Sequence, residues 1–191
     1  MKNILICNSK GGVGKSLIAD EVAFFFERNK TPYNFYDLDS QGGTIHKSSK
    51  NENASISIID TPGALQEQLA QWMKSAHLII IPTRATSRDI EPLKRMIDIV
   101  KTNNRDCPVI YILNAFNRFK ASNDFHEWLS KQVKNIILTL PQSELFVQAS
   151  TYGKSIIDYA LNSKAAVATM NLCNEVIKCI NILINLVFFL K

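Results

Sequence analysis

The 191-residue chain carries 22 Lys and Arg against 17 Asp and Glu, a net charge of +5, and is 46% hydrophobic with ten Phe. Its length and apolar content exclude a disordered chain, and the lack of repeats or low-complexity tracts excludes a solenoid or fibre. The mild basicity admits an anionic partner without selecting one, and residues 1–191 read as one domain.

In chain order, short apolar runs predict strands over Asn3–Cys7, Tyr33–Asp37, Ser55–Asp60, Leu78–Pro82, Val109–Asn114 and Ile136–Leu140. These runs are continuous rather than alternating, the pattern of strands covered on both faces. Helices are predicted over Lys15–Arg28, Arg88–Lys101 and Asp124–Val133, and a terminal one over about 164–190. In the second, Ile90, Leu93, Ile97 and Val100 recur at spacings of three and four, leaving Glu91, Lys94, Arg95 and Lys101 to solvent. Ser87 or Asp89 is placed to cap it. Gly42 to Asn53 is polar and reads as an exposed loop. The alternation implies an α/β fold with a mostly parallel twisted sheet and helices on both faces.

Cys7, Cys107, Cys173 and Cys179 form no C-x-x-C pair and no metal spacing, so they read as reduced core thiols. Met1 to Asn3 leads into only four apolar residues, which is no signal peptide. The most apolar segment, Ile180 to Leu190, has eleven residues broken by Asn181 and Asn185, short of the roughly 20 a bilayer requires. A cytoplasmic protein is expected.

The strongest motif is Lys10-Gly11-Gly12-Val13-Gly14-Lys15-Ser16, between the first strand and the first helix. Such glycines let successive N–H groups converge on one anion, and the helix start adds its positive end. Lys15 would reach β- and γ-phosphates, and the Ser16 hydroxyl would ligate Mg²⁺. Where an ordinary P-loop has its first glycine, this chain has Ser9, and it carries an extra lysine, Lys10. Downstream, Asp37 and Asp39 at a strand end point toward the edge where open α/β sheets bind ligands, or alternatively cap a turn. Ile58-Ile59-Asp60 ends a third strand on a carboxylate suited to Mg²⁺.

In this order the motifs resemble the ParA/MinD superfamily of deviant P-loop ATPases, closest to small ParA-type partition ATPases, and so imply a three-layer P-loop NTPase fold. The resemblance implies ATP and Mg²⁺ as ligands. Nucleotide contacts would run through Gly11, Gly12, Val13, Gly14, Lys15, Ser16 and Leu17, with Asn114 and Pro141 as further contacts. Asn114 reads equally well as an ordinary strand-end turn residue. Lys10 would cross a homodimer interface to the partner's nucleotide and act with Lys15 and Asp39 in catalysis. Ser16, Asp37 and Asp60 would form the metal shell, and Thr61-Pro62-Gly63 would sense the γ-phosphate. Ser40 stands in place of a usual Pro, and Gln41 and Gly42 are assigned to the same switch. Asp60 follows Asp39 by only 21 positions, less than the family's usual helix and strand would occupy.

The resemblance continues through Pro82 and Ser87, Leu140-Pro141, Ala149, Gly153-Lys154-Ser155-Ile156, Asp158-Tyr159 and Ser163-Lys164-Ala165, to about Val176. This favours DNA partition, with a centromere-binding partner protein and non-specific DNA. The chain has Gln142 to Leu145 where relatives carry DNA-binding arginines. Other basic residues would have to serve: Arg84, Arg88, Lys94, Arg95, Lys101, Arg105, Arg118 and Lys120. Residues 84–134 hold ten basic against six acidic side chains, most of the net charge. In the tail, Asn174, Lys178, Asn181 and Asn185 form one polar stripe. That suits a helix packed on the sheet or in an oligomer, and less well a MinD-like membrane-surface helix, for which Lys178 and Lys191 are few cations. A metabolic P-loop enzyme or iron–sulfur relative is a third class, disfavoured by the lack of a cysteine pair.

Overall fold

The computed structural model describes residues 1–40, 42–63, 66–103 and 106–189, with side chains throughout except at 66 and 182–189. Six strands form one sheet: β1 (Lys2–Ile6), β2 (Tyr33–Asp37), β3 (Ile56–Asp60), β4 (Leu78–Arg84), β5 (Val109–Phe116) and β6 (Ile136–Pro141). Their order is β2-β3-β1-β4-β5-β6, and every neighbouring pair is parallel. Helices follow the strands: α1 (Lys15–Arg28), α2 (Gln66–Lys74), α3 (Ile90–Asn103), α4 (Lys120–Gln132), α5 (Leu145–Thr151), α6 (Ile156–Tyr159) and α7 (Lys164–Phe189). The predicted three-layer α/β architecture is the observed one.

The strand period sorts the core into two halves. Ile4 and Ile6 join Ile18, Val22 and Phe26 of α1 and Leu172 and Val176 of α7 on one face. Leu5 and Cys7 join Leu69, Met73, Leu93, Ile97 and Leu129 on the other. Burying each such aliphatic side chain contributes roughly 1.5–3 kcal/mol, so both faces must be covered for the sheet to persist. All four cysteines are buried and unbridged.

Several element boundaries moved. β4 runs two residues past Pro82 because the chain beside it has already turned away. Ile80 accepts from Cys7 N–H at 3.0 Å, so by the period of two Pro82 also faces the β1 side. There β1 has ended, and Asn8 Nδ2 donates to the Pro82 carbonyl at 2.7 Å, so the missing N–H of proline breaks no ladder bond. β5 continues past Asn114 through an irregularity at Ala115, whose φ is +52°, a strained value for a residue with a Cβ. α3 begins at Ile90, after a 3₁₀ turn over Ser87–Asp89 flanked by Thr86, which makes no side-chain capping bond. Asp89 is not free to cap, because its carboxylate takes Lys10 and the Thr86 hydroxyl.

The Gly42–Asn53 segment contains no helix or strand, but it is less exposed than its composition suggests. Thr44 is buried, and Ser49 exchanges two backbone bonds with Phe35 at 2.9 and 3.0 Å. β2 is an edge strand, and this antiparallel bridge covers part of its open side. Among the described residues, no helix is long and apolar enough to cross a membrane. Gln41, Arg105, Leu190, Lys191 and the side chain of Asn185, all named in the sequence reading, lie outside the described residues.

Candidate functional site

A cavity of about 570 Å³ opens at the C-terminal ends of β1, β2 and β3, where an open parallel sheet binds its ligand. The segment after β1 supplies Ser9, Gly11, Gly12 and Gly14, and the start of α1 supplies Lys15, Ser16 and Leu17. Gly14 is the N-cap of α1 at φ 101° and makes no side-chain capping bond to the first-turn N–H groups, and the first-turn residues Lys15, Ser16 and Leu17 line the cavity. A Cβ at Gly14 would lie 2.1 Å from Asn114 Nδ2, so this glycine is required by space as well as by φ. Lys15 is buried, and its ammonium donates to the Lys10 carbonyl at 3.3 Å.

Behind the loop, the Ser16 hydroxyl donates to Asp60 Oδ2 at 2.7 Å. Asp60 is fully buried, and its Oδ1 has no hydrogen-bond partner among the described residues. A buried carboxylate oxygen left unsatisfied is costly unless something else meets it. Burial, reinforced by the charges of Asp37 and Asp39, pushes the Asp60 carboxyl up to about 6, against the lowering effects of Ser16 and Lys15. A hydroxyl beside an orphaned carboxylate oxygen suits a hard divalent cation such as Mg²⁺, which takes oxygen ligands. Among the described residues no group of three or more His, Cys, Asp or Glu forms a fuller metal cage.

The loop after β2 closes the opposite wall through Asp39, Ser40 and Gly43. A Cβ at Gly43 would stand 2.8 Å from Ser16 Oγ, so its backbone lies directly against the hydroxyl. Asp37 does not line the cavity. Its Oδ1 accepts from the Asp39 N–H at 2.9 Å and its Oδ2 from the Thr44 hydroxyl at 2.6 Å, so in this structure it caps the turn that presents Asp39. Pro62 and Gly63 line the cavity. Thr61 does not, because its N–H and hydroxyl both donate to the Ile6 carbonyl, at 3.2 and 3.0 Å.

Lys10 also points away from the cavity. Its ammonium pairs with Asp89 Oδ1 at 2.5 Å and approaches the Arg88 carbonyl at 3.4 Å, within its own chain. Val13 is buried, and its carbonyl accepts from Asn114 Nδ2 at 2.9 Å. Asn114 therefore braces the loop from behind. Pro141 ends β6, three strands from β1, and is not part of the cavity wall.

Asp20 and His46 carry no reading in the sequence, and Asp89 reads there only as a helix cap, not as the partner of Lys10. Asp20 is buried on α1, where its carboxylate meets Ile45, His46 and the His46 ring. The available signal was Asp20 and Glu21 standing between the apolar Ile18, Ala19, Val22 and Ala23, two acids inside a helix face that otherwise reads as core. Glu21 is explained locally, because Ser155 Oγ and Ile156 N donate to it at 2.6 and 2.9 Å.

A model of the CobQ/CobB/MinD/ParA nucleotide binding domain family matches residues 4–156. McdA of Cyanothece, solved with ATP, superposes with a TM-score of 0.76 at 15% identity, covering 93% of this chain and 96% of that one. A plasmid partition protein of Borrelia burgdorferi gives 0.69 at 18% identity, covering 93% and 98%. The septum site-determining protein MinD of Pyrococcus horikoshii, solved with Mg-ADP, gives 0.66 at 16%, covering 92% and 95%. No curated protein matches the sequence significantly. At such identities the superpositions speak to the fold.

Proposed function

We propose that this chain, which belongs to the CobQ/CobB/MinD/ParA nucleotide-binding family, binds and hydrolyses ATP with Mg²⁺ and works as an ATP-dependent homodimer in the partition of a DNA element. The observation that carries the reading is the glycine-walled cavity with Lys15 at its base and Ser16 paired to an Asp60 that has one unsatisfied oxygen. Ser16 and Asp60 would hold Mg²⁺, whose charge would offset that of the phosphates when bound. Asp37 supports that shell through the turn it caps.

Each side chain then has a task set by its place. The N–H groups of Gly11 to Leu17 hold the phosphates, and Lys15 leaves the Lys10 carbonyl to reach them. Asp39, at the opposite wall, orients the attacking water. Lys10 transfers from Asp89 to the partner's nucleotide, so a second copy of the chain completes the site. Asn114, braced on the loop, and Pro141 would make base-side contacts.

For DNA, the exposed Arg84, Arg88, Lys94, Arg95, Lys101, Arg118 and Lys120 form the regional surplus of charge. Lys94 and Lys120 are partly neutralised by Glu91 and Asp124, at 2.8 and 2.7 Å. A centromere-binding partner protein would supply site recognition and stimulate hydrolysis. A second reading, membrane positioning through the apolar end of α7, is motivated by the composition of residues 180–190. The test is DNA binding with ATP, with ADP and without nucleotide, across a salt series. Partition predicts ATP-dependent binding that weakens steeply with salt. Binding to liposomes through α7, with none to DNA, would favour the second reading.

A further inference from the structure

The loop that brings Asp39 and Gly43 to the cavity is short, and two pins hold it. On the β2 side, Leu38 N–H donates to the Asp60 carbonyl at 2.9 Å, and Asp37 binds Asp39 N–H and Thr44 Oγ. On the α1 side, Asp20 accepts the backbone N–H groups of Ile45 and His46 at 2.9 and 3.0 Å and meets His46 Nδ1 at 2.7 Å. The His46 carbonyl lies 2.8 Å from the same Thr44 Oγ and shares its one proton with Asp37. Asp39, Ser40 and Gly43, the residues that face the cavity, all lie between these pins.

His46 has a built pocket. Its ring stands edge-on to Phe24 at 4.4 Å and tilts over Phe35 at 5.4 Å, and its side chain is 11% exposed. The other ring nitrogen, Nε2, lies 3.4 Å from Glu27 Oε1, an oxygen that also receives the Tyr33 hydroxyl at 2.9 Å. The groups facing the ring are thus Asp20, Phe24 and Glu27 from α1 and Phe35 from β2, with Tyr33 behind Glu27. An imidazole with a carboxylate oxygen at each nitrogen can donate to both only as the cation.

We propose that Asp20 and His46 are positioning residues: together they clasp the loop after β2 to α1 and thereby hold Asp39 and Gly43 over the cavity for hydrolysis. The clasp uses α1, the helix that begins at Lys15 and Ser16, so both walls of the cavity are referenced to one rigid element. A displacement of about 1 Å at a reacting group can lower a rate about 100-fold, which is the leverage such a clasp has. Burial opposes charge on His46, but the hydrogen bond and charge of Asp20, with Glu27, outweigh it and raise its titration. The closed clasp is therefore complete below the ordinary imidazole range, roughly 6.5, and loosens as pH rises through the raised value of His46.

The proposal rests on the ATP-hydrolysis reading, and its test separates the two. Asp20→Asn, His46→Ala and His46→Asn are compared with the wild type in ATP turnover, ATP–Mg²⁺ binding, thermal unfolding and amide hydrogen exchange of nucleotide-free protein. Expected for Asp20→Asn and His46→Ala is a fall in kcat of about 10- to 100-fold, with nucleotide Kd changed less than about threefold. The amides of Ile45 and His46 should exchange at least about tenfold faster in Asp20→Asn. His46→Asn, which keeps a donor where Nδ1 stood, should restore kcat to near wild type. In the wild type, loop protection should fall as pH rises, and His46→Asn should abolish that dependence. Turnover intact in the wild type, Asp20→Asn and His46→Ala overturns the proposal alone, as does a loss no larger than the unfolded fraction explains. No turnover in the wild type overturns the hydrolysis reading, and unchanged exchange in Asp20→Asn overturns the clasp independently of it.

Discussion

The two loops that meet over the cavity are built in opposite ways. The one after β1 is backbone: Gly12 and Gly14 have positive φ, α1 starts immediately, and Asn114 wedges against Gly14 and holds the Val13 carbonyl at 2.9 Å. The one after β2 is held by side chains, chiefly Asp37 on Thr44 and Asp20 on His46. The first is rigid because its geometry leaves little alternative. The second is only as fixed as its tethers, and so it is the natural place for timing and control.

The largest effect that sharpens this contrast is on the second loop. Asp39→Ala should lower ATP turnover by about 100-fold or more while leaving ATP–Mg²⁺ binding nearly intact, measured by steady-state kinetics and equilibrium titration. Equal losses in binding and turnover would place Asp39 among the binding groups and blur the division between loops.

For the first loop, Gly14→Ala should destabilise the protein by about 1–3 kcal/mol, read from denaturant unfolding, because a Cβ meets Asn114 Nδ2 and φ is 101°. Pairing it with Asn114→Gly should recover only part of the loss, since the backbone strain remains.

The proposed cation site at Ser16 and Asp60 joins the loops and should show in pH. Asp60 titrates near 6, above its ordinary value, so the nucleotide-free protein holds that proton more tightly than the unfolded chain does. Its contribution to apo stability therefore grows as pH falls from about 7 toward 5. Mg²⁺ requires the deprotonated form, so the rise in Tm produced by Mg²⁺ with nucleotide should be larger at pH 7.5 than at 5.5. A pH-independent rise would remove Asp60 from the metal site.

The smallest expected effect is Thr44→Val. It removes the one hydroxyl proton that Asp37 and the His46 carbonyl share and should cost about 1 kcal/mol in unfolding experiments, with a modest fall in kcat.

The same contrast explains what could be read without coordinates. Lys10 to Ser16 is legible as a candidate phosphate loop because that motif is written in consecutive residues, and the strand before it and the helix after it are where the motif requires them. The bounds of α1 and β2 agree with the residues expected for them, Lys15–Arg28 and Tyr33–Asp37. α2 was missed because Gln66, Glu67, Gln68 and Gln71 dilute the apolar spacing of Leu69, Trp72 and Met73. β4 was cut short at Pro82, whose tolerance depends on β1 ending beside it. The clasp was invisible for a related reason: Asp20 and His46 are 26 residues apart, and a lone buried acid names no partner. Lys10 was recognised as unusual, but its pairing with Asp89, 79 residues away, follows only from the fold.

The proposed ATP–Mg²⁺ site is the cavity at Lys15. Equilibrium titration of wild type and Lys15→Ala with a fluorescent ATP analogue in the presence of Mg²⁺ tests it most directly. Binding by the wild type should be saturable and should weaken at least about 100-fold in Lys15→Ala, whose thermal unfolding should otherwise stay close to wild type. Equal affinity in the two proteins, or no binding by the wild type, would contradict it.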